Sequence, residues 1–264
     1  MAFVGSTSAV GAQPANVPEG EVALLQRAEQ ILLVESADWN AARARLQRFV
    51  RRRPGVRFER VGKPLAAWVG RAGMAWRSDR DGPDGSGSPA EAGPRKREGD
   101  GRSPAGVFPL GELWGYATAP PPGVRWPYHA IGERDRCVDD PDSPDYNQLR
   151  QAPLAAAEPW RSAEHLRLAT DHYKLLVTVD YNRLLAGPGA DQRPRKGAGS
   201  CIFLHIAPPP GSGTAGCTAL SEADLRQILA WLEPRKQPLL ILLPASARAA
   251  ARARWQLPSE LFSP

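Results

Sequence analysis

Short runs of apolar residues recur along the chain at lengths that suit strands. Strands are predicted at Glu29–Glu35, Val56–Arg60, Leu65–Val69, Val107–Leu110, Tyr173–Tyr181, Ile202–Ile206 and Leu239–Leu243. The run Tyr173–Tyr181 is the strongest of them, because it is rich in β-branched and aromatic residues. Since strands outnumber helices and do not alternate with them, the pattern predicts a mainly β or α+β domain with a curved or closed sheet.

Three stretches have the spacing of helices. Ser36–Asp38 offers an N-cap to a first helix, whose apolar positions would be Trp39, Ala42, Leu46 and Phe49. Ser221 starts a second helix, with Asp224 in a capping-box position and Leu220 placed to pack on Leu225. Ala245–Trp255 is predicted as a third, short helix.

Composition limits the domain organisation and the partners. The 264 residues are 42% hydrophobic, which suffices for one large domain over residues 21–264. Residues 1–20 are small and polar and are predicted to be a flexible tail; the alternative is the remnant of a secretory leader, because Val10-Gly11-Ala12 is similar to a cleavage site. Residues 78–106 are predicted to be a long loop.

The charge pattern gives little support for a polymer or membrane partner. The net charge of +6 is spread along the chain, and no nucleic-acid-binding module with interleaved aromatic residues is visible. No segment reaches the ~20 apolar residues that span a bilayer. The sequence is silent on oligomeric state.

The three cysteines differ in their neighbourhoods. Cys-x-x-Cys spacing is absent, so a zinc site has no sequence support, and the odd count leaves at least one thiol free unless chains pair. Cys201 lies in an apolar strand and is interpreted as a packing residue. Cys137 precedes Asp139 and Asp140, whose charges would raise its pKa and weaken it as a nucleophile. Cys217 is therefore the favoured nucleophile.

His205 is the favoured base for that thiol. It ends an apolar strand twelve positions before Cys217, and a loop rich in Pro, Gly and Ser joins them. A base beside a thiol is the minimum equipment of a cysteine nucleophile, although a histidine in this position is about as often a core residue. The small residues Thr214, Ala215 and Gly216 let the backbone amides around Cys217 form an oxyanion hole.

The other histidines are weaker candidates. His165 and His172 lie among polar residues and are predicted to be on the surface. His129 follows Tyr128 in an irregular segment and is a candidate lining residue of a pocket.

These motifs resemble the L,D-transpeptidase catalytic domain family (YkuD-like), and in particular its small L,D-peptidoglycan transpeptidase branch. The resemblance rests on His205 at the end of a strand, on Thr214-Ala215-Gly216-Cys217, and on Asp100-Gly101-Arg102-Ser103-Pro104-Ala105-Gly106-Val107-Phe108. The segment Asp139-Asp140-Pro141 with Tyr146-Asn147 is similar to the branch's substrate-side segment. The resemblance to the family extends over roughly residues 30–244.

The resemblance implies a curved β-sandwich with peripheral helices and an enzyme that needs no cofactor or metal. It implies a Cys217 thioester, His205 as general base oriented by a backbone carbonyl, and peptidoglycan stem peptides that contain meso-diaminopimelate as substrates. Inhibition by carbapenem-type β-lactams and a periplasmic or cell-envelope location follow from the same resemblance.

The substrate's charges suggest binding residues. Its ammonium group would suit Asp139 or Asp140, and a carboxylate would suit Arg102 or Lys96. Tyr146 is added to this set by its place in the substrate-side segment. The alternative for each charged residue is a solvated loop.

Two positions depart from the commoner family motif, which has His where this chain has Ala215 and Arg or a similar residue where it has Thr218 or Ala219. Acceptor recognition and oxyanion geometry are the properties that these changes put in question. Two other functions remain open: hydrolysis of peptidoglycan crosslinks or wall-protein linkages by the same site, and an inactive wall-binding module.

Overall fold

Strands form most of the regular structure. The computed structural model describes residues 20–79, 93–183, 193–207 and 213–263, so the predicted tail lies outside it except for Gly20. The strands are β1 Gln30–Ser36, β2 Arg43–Val50, β3 Glu59–Trp68, β4 Met74–Trp76, β5 Ser103–Gly115, β6 Tyr128–Ala130, β7 Asp135–Cys137, β8 Leu149–Gln151, β9 Glu164–His165, β10 Leu175–Val179, β11 Phe203–Ile206, β12 Thr218–Leu220 and β13 Leu239–Pro244. The α-helices are α1 Glu21–Arg27, α2 Glu222–Trp231 and α3 Arg248–Trp255. The predicted mainly β class is confirmed.

The main sheet closes on itself. Its strands pair in the order β10-β11-β12-β3-β2-β1-β13-β5, and β5 pairs back with β10. The 13-residue strand β5 also pairs with β4 and β6. Closure satisfies the backbone groups of both would-be edge strands and encloses a continuous apolar interior.

Strands β1 and β13 are buried on both faces, which explains their uninterrupted apolar sequences. Leu32 and Leu240 belong to the apolar cluster inside the closed sheet. Ile31 and Ile241, on the opposite faces of the same strands, pack in a second cluster that includes Trp255 of α3. The strands predicted at these two positions are confirmed.

The helix predicted from Trp39 to Phe49 is wrong. This stretch contains β2, which pairs antiparallel with β1. Leu46 and Phe49 lie in different apolar clusters on the two faces of the strand, so their helical spacing is a coincidence of two-sided burial. Asp38 accepts hydrogen bonds from the amides of Asn40 and Ala41, which makes a tight turn before the strand rather than a helix cap.

The predicted strands Val56–Arg60 and Leu65–Val69 both overlap the single strand β3, which continues through Gly62-Lys63-Pro64. The register with β2 shifts between Leu46 and Arg48, so these three residues form an irregularity within the strand. The second helix is confirmed as α2. Ser221 caps it by accepting a 3.1 Å hydrogen bond from the amide of Asp224.

A small second sheet lies beside the closed sheet. It has the order β8-β7-β9. A disulfide joins Cys137 of β7 to Cys201, just before β11. The interpretations of Cys201 as a packing residue and of Cys137 as a thiol are therefore corrected: their pairing is a tertiary contact between residues 64 positions apart, which local sequence does not reveal.

Candidate active site

The strand pair β11–β12 brings His205 and Cys217 to one cavity. The two strands are parallel neighbours, with His205 opposite Ala219, so the chain must return between them and places Cys217 immediately before β12. Cys217 and His205 are both buried and both line a cavity of about 520 Å³. Cys217 is a free thiol.

The Cys217 sulfur has two backbone partners. It accepts a hydrogen bond from the Phe203 amide and donates one to the Cys201 carbonyl, each with a distance of 3.3 Å. Burial raises the pKa of this thiol, and the charge of Glu164 raises it further, against smaller opposing effects of the Phe203 amide and Lys96. The resting group is therefore the neutral thiol.

His205 is held as a neutral imidazole of defined tautomer. Its Nδ1 lies 2.7 Å from the carbonyl oxygen of Ile206. Because a carbonyl can only accept, Nδ1 carries the hydrogen and Nε2 keeps its lone pair. Burial lowers the pKa of His205 to about 4, which the Ile206 carbonyl partly opposes and the nearby His172 reinforces. A backbone carbonyl as its orienting partner is what the family resemblance implies.

Hydroxyl groups hold the turn that carries Cys217. The Cys217 carbonyl accepts hydrogen bonds from Thr214 Oγ1 at 2.6 Å and from Ser103 Oγ at 2.9 Å. Ser103 opens β5 and belongs to the Ser-Pro-Ala-Gly-Val-Phe motif, and its Oγ also accepts from the Gly70 amide. That motif therefore helps to fix the backbone of Cys217.

The amides of this turn are only partly available to a substrate. The Gly216 amide donates to Thr214 Oγ1 at 3.1 Å, so it is committed within the turn and does not serve the predicted oxyanion hole. The amides of Ala215 and Cys217 have no hydrogen-bond acceptor among the described residues. Ala215 is exposed and lines the cavity.

Three carboxyl groups face the cavity: those of Glu98, Asp139 and Glu164. Asp139 was a predicted substrate-binding residue, and its Oδ1 is buried without a partner among the described residues. Glu98 accepts hydrogen bonds from Tyr146 Oη and from Ser200 Oγ. Glu98 and Glu164 were not predicted from the sequence, because they lie in a loop and in a two-residue strand without a recognisable pattern.

Glu164 is hydrogen-bonded to Tyr173. The Tyr173 hydroxyl donates to the Glu164 carboxylate. Burial raises the pKa of Glu164 to about 7; the hydrogen bond from Tyr173 opposes this change and the charge of Asp139 adds to it. The Tyr173 ring also meets the His205 ring edge-on, with the centroids 5.3 Å apart. Tyr173 thus contacts both the Glu164 carboxyl group and the His205 imidazole.

The histidine predictions had mixed outcomes. His165 is exposed, as predicted. The surface prediction for His172 is wrong: it is half-buried and lines the cavity, with its ring centroid 6.5 Å from that of His205. His129 stacks on Trp114 and lines a second, smaller depression of about 350 Å³.

Three predicted substrate-binding residues do not line the cavity. The guanidinium of Arg102 donates to the carbonyls of Trp39 and Met74 and to Asn40 Oδ1, so it supports the backbone behind the site. Its predicted role in binding a carboxylate is not supported.

Asp140 and Tyr146 are likewise engaged elsewhere. Asp140 accepts hydrogen bonds from the backbone and guanidinium of Arg161, which lower the pKa of the carboxyl to about 2. Tyr146 lies behind Glu98 and positions it. Lys96 does line the cavity, but its ammonium group is paired with Asp100 at 2.7 Å.

No described helix has the length and apolar character needed to cross a membrane. Among the described residues there is no group of three or more His, Cys, Asp or Glu side chains suited to a metal ion.

Comparison with known families identifies the domain. Residues 62–241 match the model of the YkuD L,D-transpeptidase catalytic domain. Because this match spans more than half of the chain, the chain belongs to the YkuD family.

Two solved structures are similar to the chain at low sequence identity. The chain is similar to the structure of Bdellovibrio bacteriovorus Bd1075, at 14% identity and a TM-score of 0.38, over 87% of this chain and 54% of that chain. It is also similar to the crystal structure of a point mutant of the helical cell shape determining protein Pgp2 from Campylobacter jejuni, at 14% identity and a TM-score of 0.37, over 82% and 47%. The chain thus spans about half the length of these proteins. No curated protein gives a significant match.

Proposed function

We propose that this chain is a cysteine-dependent L,D-transpeptidase that acts on peptidoglycan stem peptides, with Cys217 as nucleophile and His205 as general base. The observation that carries the proposal is that a free thiol and a neutral imidazole line one cavity of a YkuD domain. His205 presents the free lone pair of Nε2, because Nδ1 is tethered to the Ile206 carbonyl.

The first half of the reaction forms a thioester. Sγ of Cys217 attacks the carbonyl that follows the L-centre of diaminopimelate in a donor stem, while its proton passes to Nε2 of His205. Because the pKa of the thiol is raised and that of the imidazole is lowered, proton transfer accompanies the attack rather than preceding it. The amides of Cys217 and Ala215 are the available donors to the developing oxyanion. Collapse of the intermediate expels the terminal D-amino acid, whose amine takes the proton from His205.

The second half transfers the acyl group. The side-chain amine of another stem attacks the thioester carbonyl and gives a proton to His205. The C–S bond then breaks, and the thiolate recovers its proton from the imidazolium. The products are a crosslinked stem pair and the original enzyme.

The cavity charges suit a substrate that carries an ammonium group. The carboxyl groups of Glu98, Asp139 and Glu164 line the same cavity as Cys217, so a diaminopimelate amine would find opposite charge there. Lys96 is the cavity cation for a carboxylate, with two of its three N–H groups donated to Asp100 and to the Arg97 carbonyl.

Incubation with purified disaccharide tetrapeptide tests the proposal. Crosslinked dimers detected by mass spectrometry would support a transferase, whereas loss of the terminal residue alone would indicate a carboxypeptidase. Loss of existing crosslinks would indicate a hydrolase, and no change would favour an inactive wall-binding module. Cys217→Ala and His205→Gln should abolish dimer formation, and His165→Gln, which changes an exposed histidine, should not.

A carbapenem-type β-lactam gives a second readout. The active enzyme should gain one acyl adduct on Cys217, and the Cys217→Ala form should gain none. Because peptidoglycan lies in the cell envelope, the proposal also places the chain in the periplasm or at the envelope, which suits the disulfide that it contains.

A further inference from the structure

Cys201 has a backbone conformation that a residue other than glycine rarely adopts. Its φ is +53°, in the left-handed region, which costs a non-glycine residue roughly 1 kcal/mol or more. Such a conformation persists only where the surroundings hold it, and it is typical of functional sites. Cys201 also lines the cavity that contains Cys217.

One segment holds Cys201 at two points. Its side chain is bonded to Cys137 of β7, and its amide donates a 2.9 Å hydrogen bond to Asn147 Oδ1. Asn147 is fixed in turn: its side-chain amide donates to the carbonyls of Tyr181 and Asn182, at 3.0 and 2.6 Å. The disulfide therefore fixes the side chain of Cys201, and the hydrogen bond to Asn147 fixes its backbone.

The held residue touches the nucleophile directly. The Cys201 carbonyl accepts the hydrogen bond of the Cys217 thiol, and two residues later the Phe203 amide donates to the same sulfur. One partner of Sγ thus belongs to the left-handed residue and the other lies two residues after it, so their directions depend on the turn at Cys201.

We propose that the Cys137–Cys201 disulfide and Asn147 are positioning elements that hold the Cys217 sulfur for acyl transfer, so that the site is completed only when Cys137 and Cys201 are oxidised. This inference rests on the function proposed above. The oxidation removes one electron and one proton from each thiol, and a small-molecule or protein disulfide accepts them by thiol–disulfide exchange and is reduced to two thiols.

The chain makes the test direct, because Cys217 is its free thiol. The double variant Cys137→Ala/Cys201→Ala removes the crosslink and leaves Cys217 as the sole cysteine. Asn147→Gly keeps the disulfide, removes the acceptor of the Cys201 amide and tolerates the positive φ of +57° at position 147. The rate of Cys217 alkylation by iodoacetamide is measured against pH by peptide mass spectrometry, well below the melting temperature.

Both variants are expected to lower the pH midpoint of alkylation by about one unit or more, because water that reaches the sulfur relieves its burial. In the same variants, the kcat for acylation by tetrapeptide donor should fall about tenfold or more, with a smaller change in KM. Leu261→Ala, in the second apolar cluster, is the control for general loss of stability and should keep the wild-type midpoint.

The proposal is overturned if the folded variants keep the wild-type midpoint and acylation rate, or if Leu261→Ala shows the same shift. If the double variant does not fold, Asn147→Gly decides. Because alkylation needs no substrate, failure of the proposed function can be distinguished from failure of the positioning proposal. A wild-type protein that no donor acylates, but whose alkylation midpoint shifts in the variants, would refute transpeptidation and leave the positioning of the sulfur standing.

Discussion

The Ser103 hydroxyl donates a 2.9 Å hydrogen bond to the Cys217 carbonyl, joining residues 114 positions apart. The same oxygen accepts from the Gly70 amide, and Ser103 is fully buried. One side chain therefore links β5, the turn after β3 and the proposed nucleophile.

Replacing Ser103 by Ala should destabilise the protein by about 1–3 kcal/mol, because it leaves the buried Gly70 amide without an acceptor. Urea unfolding followed by tryptophan fluorescence measures this change. Ser103→Thr keeps the hydroxyl and should retain most of the stability. Equal stabilities of the Ala variant and the wild type would show that this hydroxyl has little structural importance.

Replacing Arg102 by Ala should lower stability by about 1–3 kcal/mol, since the Met74 carbonyl loses its donor and the Trp39 carbonyl keeps only the Met74 amide. Its donor KM should remain unchanged, because Arg102 does not line the cavity. Arg102→Lys separates the two roles, as it keeps the charge and loses the fork geometry. A large rise in KM for Ala that Lys reverses would restore the carboxylate-binding role.

His205 should make stability depend on pH. Its pKa is about 4 in the folded protein against an ordinary value of 6.5, so the unfolded chain binds more protons between these values. The contribution is therefore complete above about pH 6.5 and is lost as pH falls toward 4, by up to about 3 kcal/mol.

Comparison with His205→Gln isolates this contribution, because the other titrating groups are common to both proteins. Glu164, whose raised pKa acts with the opposite sign between 4.5 and about 7, cancels in the difference. Urea unfolding of both proteins from pH 4 to pH 7 is the measurement. Parallel stability curves would mean that His205 is not buried in the neutral form.

Glu164→Gln should lower the pKa of the Cys217 thiol, because the Glu164 carboxylate raises it. Gln still offers an oxygen to the Tyr173 hydroxyl, so the cavity wall is retained. The alkylation midpoint of Cys217 should fall by about half a unit to one unit. Glu112→Gln, which removes an exposed carboxylate of β5, is the matched control and should leave the midpoint unchanged.

Local sequence predicted those parts of the fold in which one physical requirement dominates. The strands β1 and β13 are buried on both faces and read as continuous apolar runs, and α2 carries its own cap at Ser221. The segment of β2 was wrongly predicted as a helix, because burial of Leu46 and Phe49 on opposite faces of the strand imitates a helical period. Two-sided burial thus makes a strand easy to predict where its apolar run is continuous, and leads to a wrong prediction where polar residues interrupt the run.

The candidate site was predictable where its residues are adjacent to a motif. His205 and the Thr214–Cys217 turn could be selected from their spacing, and the cavity contains them both. Glu164, Tyr173 and the Cys137–Cys201 bond could not, because they reach the site through pairing between distant segments. Long-range contacts of this kind depend on the folded topology rather than on neighbours in sequence.

The burial of Cys217 has a consequence for the chemical durability of the protein. Oxidation of cysteine proceeds through the thiolate and requires access for the oxidant. Cys217 is 6% exposed and rests as a neutral thiol, whereas Cys137 and Cys201 are already spent as a disulfide. Conditions oxidising enough to form that disulfide would therefore leave the proposed nucleophile in its reduced form until a substrate binds and His205 takes the thiol proton.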